Sequence, residues 1–385
     1  MKKKMVILGS TGSVGRQTLD ICRDRGDTIV ALAAHSNVER LAEQAREFGV
    51  KHVAIADSTK LAALKLALAD MEVQITAGAA AVADLAALPG VDIVLNAVVG
   101  IAGLRPTLMA LQSGNALALA NKEALITGGS LVMDTARRCG TPLLPVDSEH
   151  SAIWQCLQAG EREDVRGIVL TASGGPFFGR TRDEMKDVTR AQALAHPNWS
   201  MGPKITVDCA TLMNKGLEFI EAMWLFDLTP DQIEVVVHRQ SIIHSAVEYL
   251  DGSVIAQLSV PDMHLAIQYA LTYPRHLPLW QGKHLSLTDC ATLTFAKPDA
   301  ETFQCLQVCI DAAKASGLAP TIANGANEAA VAYFLEDKIS FLQIGELVQG
   351  AAAALRAPEA VTLENIELAD QMAREYVHAK VNETR

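Results

Sequence analysis

The sequence predicts an α/β protein with more than one domain. Its 385 residues exceed what one ordinary hydrophobic core organises. Short apolar runs alternate with helical segments up to about residue 147, a pattern typical of a doubly wound parallel sheet. After residue 301 the apolar residues recur at helical spacing. We therefore expect an N-terminal doubly wound domain, a central α+β domain with a lid loop, and a C-terminal helical bundle.

The N-terminal domain is expected to span residues 1–147. Its predicted strands lie at 5–9, 28–34, 53–56, 93–99, 116–120 and 143–146. The first run leads into a glycine-rich turn and then an amphipathic stretch over 16–25. A strand, glycine turn, helix and second strand at this spacing form a βαβ unit.

The central domain is expected over residues 148–273. Strand-like runs lie at 168–171, 233–237 and 254–258, with 240–249 between the last two. The pattern indicates an α+β arrangement without strict crossovers. Residues 174–203 are marked by glycine and proline and have little periodic core, so they predict the lid loop.

The last two segments differ sharply in composition. Residues 274–300 contain Pro274, Pro278, Gly282 and Pro298 and are interpreted as a linker. Residues 301–385 form the predicted bundle, with helices near 301–316, 320–337, 340–355 and 362–382.

Composition excludes several classes of partner. The formal net charge is −11 and the pI is near 5.4, which argues against nonspecific binding to nucleic acid or to anionic membranes. No apolar stretch approaches the roughly 18 residues of a membrane span, and the apolar run after Lys4 is too short for a signal peptide. Seven scattered cysteines without a Cys-x-x-Cys pair favour a reduced, cytoplasmic location.

The glycine turn predicts dinucleotide binding. In Gly9-Ser10-Thr11-Gly12-Ser13-Val14-Gly15 the glycines permit tight geometry and close approach of a pyrophosphate to helix amides. The turn follows a strand and opens a helix, as in a Rossmann-like domain. A purely structural βα turn is the alternative. The candidate cofactor residues here are Gly9, Thr11, Gly12, Ser13 and Val14.

The end of the second strand favours NADP over NAD. An acidic residue at this position would bind the NAD ribose and repel a 2′-phosphate. The chain has His35-Ser36-Asn37 instead. Ser36, Asn37 and also Arg40 can donate hydrogen bonds to that phosphate.

Two acidic motifs predict a metal site. Asp147-Ser148-Glu149 places two acids one residue apart at a predicted strand end, so both could face one ion while Ser148 points elsewhere. Glu218, in Asn214-Lys215-Gly216-Leu217-Glu218, supplies a third carboxylate. Mg²⁺ and Mn²⁺ prefer such oxygen ligands, whereas zinc favours His or Cys. Solvated surface acids are the alternative. With the glycine turn, the motifs indicate metal-assisted redox chemistry on a sugar phosphate.

The second motif lies on a predicted helix near 214–221. Asn214 and Lys215 are then four and three residues before Glu218, so all three share one face. This arrangement brings an amide, an ammonium and a carboxylate into one pocket. A surface Lys–Glu pair is the simpler alternative.

The chain lacks the catalytic residues of two other classes of NADP-dependent enzyme. Extended short-chain dehydrogenases need Tyr-x-x-x-Lys near mid-chain, and the only match is Tyr376–Lys380 in the last predicted helix. Semialdehyde dehydrogenases need a nucleophilic cysteine with a histidine base. Cys156 lies on a predicted apolar helix and is interpreted as a core residue.

Six ordered motifs resemble one family. They are the glycine turn, Ala120-Asn121-Lys122-Glu123, Pro145-Val146-Asp147-Ser148-Glu149-His150, Ala172-Ser173-Gly174-Gly175-Pro176-Phe177, His196-Pro197-Asn198-Trp199-Ser200-Met201-Gly202 and Met213-Asn214-Lys215-Gly216-Leu217-Glu218. Together they resemble the 1-deoxy-D-xylulose 5-phosphate reductoisomerase family over essentially the whole chain. The resemblance implies an enzyme of isoprenoid precursor synthesis that uses NADPH and Mg²⁺ or Mn²⁺.

The resemblance also implies roles for individual residues. It makes Asp147, Glu149 and Glu218 the metal ligands and adds Asn121, Glu123 and Gly202 to the cofactor site. The implied substrate contacts are Lys122, Ser148, Glu149, Ser173, His196, Trp199, Asn214, Lys215 and Glu218. The implied catalytic residues are Lys122, Asp147, Glu149, His196 and Glu218. The lid closes over the substrate, with Trp199 shielding it.

One position departs from the family pattern. Cys209 stands where most members have a serine that is expected to bind the substrate phosphate. A thiol is a weaker and bulkier donor than a hydroxyl. Either Cys209 contacts the phosphate, or it packs beside the pocket while Ser173, Asn214 and Lys215 hold it.

The implied reaction rearranges 1-deoxy-D-xylulose 5-phosphate and then reduces the product to 2-C-methyl-D-erythritol 4-phosphate. The sequence leaves open whether the rearrangement is a retro-aldol cleavage with re-addition or a concerted shift. The resemblance implies a homodimer. A catalytically silent NADP sensor and a simple semialdehyde or sugar-phosphate dehydrogenase are the rival functions.

Overall fold

The computed structural model describes residues 2–199, 201–279, 282–290 and 292–383. The helices in chain order are α1 (Ser13–Arg25), α2 (Val38–Phe48), α3 (Leu61–Ala67), α4 (Ala79–Leu85), α5 (Leu104–Gln112), α6 (Glu123–Cys139), α7 (Ser148–Cys156), α8 (Arg190–Ala193), α9 (Pro203–Ala210), α10 (Met213–Leu225), α11 (Met263–Thr272), α12 (Gln304–Ala315), α13 (Ala319–Leu335), α14 (Phe341–Ala354) and α15 (Leu363–Glu383). The strands are β1 (Lys4–Leu8), β2 (Thr28–Ala34), β3 (His52–Ile55), β4 (Gln74–Ala77), β5 (Ile93–Asn96), β6 (Ala116–Leu119), β7 (Leu143–Pro145), β8 (Val165–Ala172), β9 (Ile233–Val237), β10 (Ile243–Tyr249) and β11 (Val254–Leu258).

The chain forms two compact units, each built from three segments. The first unit consists of Met1–Ala124, Val132–Ser151 and Asp262–Gly282. The second consists of Leu125–Leu131, Ala152–Pro261 and Lys283–Arg385. The sequence boundaries near 147, 273 and 300 stay a prediction of how domains are organised.

The first unit contains a seven-stranded sheet in the order β4-β3-β2-β1-β5-β6-β7. All neighbouring strands pair in parallel. The central strand β1 is fully buried from Met5 to Leu8, because helices cover both faces of such a sheet. The predicted Rossmann-like fold class is confirmed. The sequence prediction missed β4, a half-exposed edge strand in which Ile75 is the one strongly apolar residue.

The second unit contains a mixed sheet in the order β11-β10-β8-β9. β8 and β9 pair in parallel, whereas β10 is antiparallel to both of its neighbours. Helix α10 packs its buried face against α12, with Met213, Leu217 and Cys309 in the shared core. The predicted α+β sheet and the helical C-terminal region are both confirmed. Helices α12 to α15 match the four predicted bundle helices within a few residues.

The predicted lid segment contains little regular structure. It includes one 3₁₀ turn over Asp183–Met185 and the short helix α8. Helix α9 then begins at Pro203, at a position where the missing amide of proline costs nothing. Ser200 of the lid, Trp280, Gln281 and Ala291 of the predicted linker, and residues 384–385 of the predicted bundle lie outside the described residues.

Among the helices that the structure describes, none combines the length and the hydropathy that crossing a bilayer requires.

Candidate active site

The glycine turn has the geometry of an anion site. Gly9 has φ +81°, and a Cβ there would lie 2.5 Å from the Ala97 carbonyl oxygen. A Cβ on Gly15 would lie 2.3 Å from the Gly9 oxygen, so both positions require glycine. Gly12 precedes α1 without a side-chain cap. The first-turn amides of a helix have no partner inside it, so this end of α1 is available to a phosphate.

The predicted cofactor residues of the turn lie around this end of α1. Thr11, Ser13 and Val14 are half-buried, whereas Gly12 is exposed.

The residues after β2 face solvent. His35, Ser36, Asn37 and Arg40 are all exposed. The Asn37 side chain accepts a hydrogen bond from the Arg40 amide at 3.0 Å and so caps α2. Its amide nitrogen is still available as a donor. Arg40 also lies 3.6 Å from Glu43, an exposed pair of the kind that contributes little to stability.

Asn121 organises the loop after β5. Its amide nitrogen donates to the carbonyls of Val98 at 2.7 Å and Gly100 at 2.9 Å, and to Glu123 at 3.0 Å. Its amide oxygen accepts from the Ala124 amide at 3.0 Å. Both ends of the side chain therefore have protein partners, and the predicted contacts of Asn121 and Glu123 with the cofactor stay a prediction.

Lys122 and Asp147 form a buried ion pair in the first unit. The Lys122 Nζ lies 2.6 Å from Asp147 Oδ2, with 9% and 14% of the two side chains exposed. A carboxylate oxygen of Glu149 lies within 4.8 Å of one of Asp147. The Ser148 hydroxyl donates a hydrogen bond to the Glu149 carboxylate. The predicted substrate lysine and two predicted metal ligands thus lie together.

The local backbone here differs from the prediction. Residues 147–149 were expected to be extended, with Ser148 directed away from its acidic neighbours. Strand β7 ends at Pro145, and Ser148 is the first residue of α7. The Ser151 amide donates to the Asp147 carbonyl at 2.8 Å, which closes the first helical turn. Glu149 therefore lies in that first turn, where the helix dipole favours a negative charge.

In the second unit, Ser173 contacts His196. Ser173 follows β8 and leads into Gly174 and Gly175, which have φ +75° and +65°. The Ser173 hydroxyl lies 2.9 Å from His196 Nε2 and also accepts from the Gly175 amide at 3.2 Å. Two predicted substrate residues, 23 positions apart, thus share a hydrogen bond.

The hydrogen bonds of His196 define its tautomer. Its Nδ1 accepts from the backbone amides of Asn198 at 3.2 Å and Trp199 at 3.0 Å. The proton is therefore on Nε2, which donates to Ser173. Burial, together with the nearby charge of Arg239, lowers the pKa of His196 to about 4. His196 is neutral at pH 7.

Further contacts hold the lid segment in place. The Asn198 side-chain amide donates to the Arg239 carbonyl at 2.6 Å and to the Ser241 hydroxyl at 3.0 Å. The Trp199 ring packs edge-on against His244, with 6.1 Å between centroids. Trp199 is half-buried, and this ring contact covers one side of it.

Helix α10 brings three predicted site residues together. The Asn214 amide donates to Glu218 Oε1 at 2.6 Å, and the Lys215 ammonium forms an ion pair with Oε2 of the same carboxylate. At most 8% of each of these three residues is exposed, so they form a buried polar group rather than a surface pair. The helical spacing in the sequence predicted this shared face.

Cys209 lies beside the Ser173 loop. It is half-buried near the end of α9. A Cβ on Gly175 would lie 2.6 Å from the Cys209 carbonyl oxygen, so the glycine allows the two backbones to meet. Gly202, which begins the same helix as its N-cap, is exposed with no atom within 4 Å of a Cβ placed on it.

Four residues near these contacts were not predicted from the sequence: Asn198, Arg239, Ser241 and His244. Arg239 donates to the carbonyl of Ser173 at 2.8 Å and to that of Gly175. His244 is buried, which lowers its pKa to about 4. A signal was present, since polar residues at 238–241 follow the apolar strand β9 as Ser173 follows β8.

Comparison with known proteins identifies the chain. Models of the 1-deoxy-D-xylulose 5-phosphate reductoisomerase family match residues 5–129, and models of two C-terminal domains of that family match residues 143–226 and 258–376. A relative of that name from Geobacillus sp. strain WCH70 is 49% identical over 379 residues, which is 98% of this chain and 99% of the relative. The chain belongs to the 1-deoxy-D-xylulose 5-phosphate reductoisomerase family.

Solved structures of reductoisomerases have the same fold. The enzyme from Zymomonas mobilis in complex with NADPH is 41% identical, with a TM-score of 0.92 and 99% of each chain covered. A DOX-P reductoisomerase in complex with NADPH, fosmidomycin and magnesium is 38% identical, with a TM-score of 0.94. In that comparison 99% of this chain and 98% of the other are covered.

The residues of the first unit fit the divalent cation of such reductoisomerases. Two oxygens bound to one Mg²⁺ are at most about 4.2 Å apart. The Asp147 and Glu149 oxygens, within 4.8 Å of each other, are close to that range. Both are hard carboxylate donors, which favours Mg²⁺ or Mn²⁺ over zinc.

Proposed function

We propose that this protein converts 1-deoxy-D-xylulose 5-phosphate to 2-C-methyl-D-erythritol 4-phosphate with NADPH and a divalent cation. The observation that carries the proposal is the 49% identity over 98% of the chain to a reductoisomerase. Related structures contain NADPH and magnesium. This reaction is an NADP-dependent reduction coupled to an isomerisation, a step of isoprenoid precursor synthesis.

The cation is proposed to bind Asp147, Glu149 and Glu218. The Lys122 Nζ lies 2.6 Å from Asp147, so a positive charge for the anionic substrate lies beside the proposed metal ligands. Lys215 supplies the corresponding positive charge beside Glu218. A bound cation supplies Lewis-acid polarisation of the substrate oxygens, and bound NADPH supplies the hydride.

The substrate is proposed to contact a set of mostly polar and charged side chains. They are Lys122, Ser148, Glu149, Ser173, His196, Trp199, Cys209, Asn214, Lys215 and Glu218. The phosphate is expected to bind donors, and Ser173, Asn214 and Lys215 are an hydroxyl, an amide and an ammonium. The neutral His196 holds its proton on Nε2, so it donates to a substrate oxygen rather than accepting from it.

The cofactor is proposed to bind along the glycine turn. Its pyrophosphate lies at the start of α1, contacted by Gly9, Thr11, Gly12, Ser13 and Val14. Ser36 and Asn37 contact the 2′-phosphate. The remaining proposed cofactor residues are Asn121, Glu123 and Gly202.

The lid is proposed to exclude water from the reaction. Asn198 and Trp199 hold the segment against Arg239, Ser241 and His244. A dry site strengthens every electrostatic contact inside it and protects a reactive aldehyde from hydration.

The protein is proposed to be a homodimer that pairs through β11. This strand is an edge of the mixed sheet, and Val254 and Ile255 on it are 56% and 39% exposed. Antiparallel pairing of two β11 strands about a twofold axis would cover both unpaired edges. Ile255→Lys should convert the dimer to a monomer by sedimentation velocity. The matched control is Leu66→Lys, which changes an exposed leucine on α3 and should leave the dimer intact.

A cytoplasmic location is proposed from the cysteines. All seven lie in the described part of the chain, and none of them forms a disulfide there. A reduced compartment keeps thiols in this state.

One experiment separates this function from its rivals. NADPH oxidation should require both 1-deoxy-D-xylulose 5-phosphate and added Mg²⁺ or Mn²⁺. A silent NADP sensor would bind NADPH without oxidising it, and a simple dehydrogenase would turn over without the cation. Either result would contradict the proposal.

A further inference from the structure

Gln44 on α2 is hydrogen-bonded to Ser10 of the glycine turn. The Ser10 hydroxyl donates to Gln44 Oε1 at 2.8 Å, and Gln44 Nε2 donates to the Ser10 carbonyl at 2.9 Å. Ser10 is fully buried and Gln44 is 5% exposed. Two buried hydrogen bonds between the same two residues fix their relative position, because breaking either one leaves a buried polar group unsatisfied.

These bonds complete the polar contacts of Ser10. Its amide and that of Gly9 both donate to the Ala33 carbonyl at 2.9 Å. The backbone N–H, the carbonyl and the hydroxyl of Ser10 are thus all bonded, to β2 and to α2. The turn is therefore held at Ser10 by both neighbouring elements.

Gln44 also lies one helical turn after Arg40. The first turn of α2 follows Ser36 and the N-cap Asn37, the residues proposed to contact the 2′-phosphate. A polar cavity of about 390 Å³ lies between α1 and α2, and its lining includes Ser13, Arg40 and Gln44. The Ser10–Gln44 pair therefore connects the two places where the phosphates of NADPH are proposed to bind.

We propose that Gln44 is a positioning residue that sets the spacing between the pyrophosphate turn and the 2′-phosphate site. Only NADPH uses both places at once, so Gln44 contributes to the preference for NADPH over NADH. This inference rests on the proposed cofactor function, and it deepens that function by assigning a residue that does not touch the cofactor.

The test measures cofactor binding without turnover. Titration of NADPH and NADH fluorescence in the absence of substrate gives both dissociation constants. Gln44→Met removes both hydrogen bonds at similar volume. We expect NADPH binding to weaken about tenfold and NADH binding about threefold, because a turn that Gln44 no longer holds must be ordered when the cofactor binds. The KM for NADPH should rise while the KM for the sugar phosphate and kcat stay the same.

Two further variants keep the test decisive. Ser10→Ala removes only the hydroxyl and should weaken NADPH binding about threefold. This variant still tests the Ser10–Gln44 pair if the Gln44→Met protein does not fold. The double variant should bind NADPH no more weakly than Gln44→Met alone, since the hydroxyl acts through Gln44.

The matched control is Asn115→Leu. Asn115 is also 5% exposed, and its amide donates to the carbonyls of Ala86 at 2.9 Å and Leu88 at 3.1 Å, away from the turn. It should lower the melting temperature without changing either dissociation constant.

Three results would overturn the inference: unchanged NADPH binding in a folded Gln44→Met protein, equal weakening of both cofactors, or an equal effect of Asn115→Leu. Failure of the wild-type protein to bind NADPH would instead contradict the proposed function itself.

Discussion

His196 Nε2 lies 2.9 Å from the Ser173 hydroxyl, so the lid segment is joined directly to the glycine loop after β8. Asn198 adds hydrogen bonds to Arg239 and Ser241, and Trp199 adds its ring contact with His244. A substrate that enters between His196 and Ser173 must replace their hydrogen bond. We therefore expect ligand binding and the position of the predicted lid segment to be coupled.

The first prediction concerns lid closure. Binding of substrate or a phosphonate analogue should change the fluorescence of Trp199, because its contact with His244 changes. Protease should cut between Phe178 and Asn198 only in the ligand-free protein. Trp199→Phe identifies the signal among the four tryptophans of the chain. Equal cleavage rates with and without ligand would contradict closure.

The second prediction concerns pH. The pKa of His196 is lowered to about 4 by burial and by Arg239, whereas an undocked histidine has its ordinary value near 6.5. The docked lid holds the neutral ring, so docking is fully favourable above pH 6.5 and weakens as the pH falls toward 4. Trp199 fluorescence in the free protein should follow that range.

His196→Gln is the control for this pH dependence. The pKa of His244, which contacts Trp199, is also lowered to about 4 by burial. If the transition persists in the His196→Gln protein, His244 rather than His196 controls docking.

The third prediction concerns Glu218. Glu218→Gln should keep NADPH binding but nearly abolish turnover, since a neutral amide is a poor ligand for a hard cation. Mn²⁺ affinity, measured by electron paramagnetic resonance, should fall with it. Glu234→Gln, on the exposed face of β9, is the control and should change neither quantity. Tight Mn²⁺ binding with normal activity would remove Glu218 from the metal site.

The fourth prediction concerns cofactor choice. Ser36→Asp should reduce the preference for NADPH over NADH, measured as the ratio of kcat/KM values. Two like charges about 4 Å apart in water cost about 1 kcal/mol, which corresponds to roughly fivefold. Ser36→Ala separates the loss of the hydroxyl from repulsion by the new charge. A full NADPH preference in Ser36→Asp would shift the discrimination to Arg40.

The fifth prediction concerns Cys209, whose backbone meets Gly175 of the Ser173 loop. If Cys209 contacts the phosphate, Cys209→Ser should tighten substrate binding by about 1 kcal/mol, somewhat less than tenfold. Cys209→Ala should leave binding unchanged or slightly weaker. Isothermal titration with substrate measures both. A serine variant with unaltered affinity and kcat would show that the residue only packs beside the pocket.

Local patterns predicted much of this fold and site. The glycine turn, the parallel strands and the shared face of Asn214 and Glu218 each depend on residues close together in the chain. Periodicity and spacing therefore specify them. The half-exposed β4 has one strongly apolar residue, so its own sequence does not indicate a strand. Its pairing with β3 holds this segment in the extended conformation instead.

Other features depend on contacts between distant segments. Arg239 is 66 residues from Ser173, whose carbonyl it binds, and nothing local in the chain indicates that contact. The ring contact that covers Trp199 comes from His244 on β10, a distant segment of the chain. At Ser148, the Pro145 that ends β7 and the early helical turn replaced the expected extended backbone. Tertiary packing determined these features.

The tautomer of His196 has a consequence for inhibitor design. Because Nδ1 already receives two backbone N–H groups, the ring offers an incoming compound a single Nε2–H. A chemical group built to displace the Ser173 hydroxyl must therefore carry a hydrogen-bond acceptor, such as a hydroxamate or carbonyl oxygen. An amine or amidine at that point would meet a donor and the neighbouring charge of Arg239, and such compounds should bind poorly however well they fill the space.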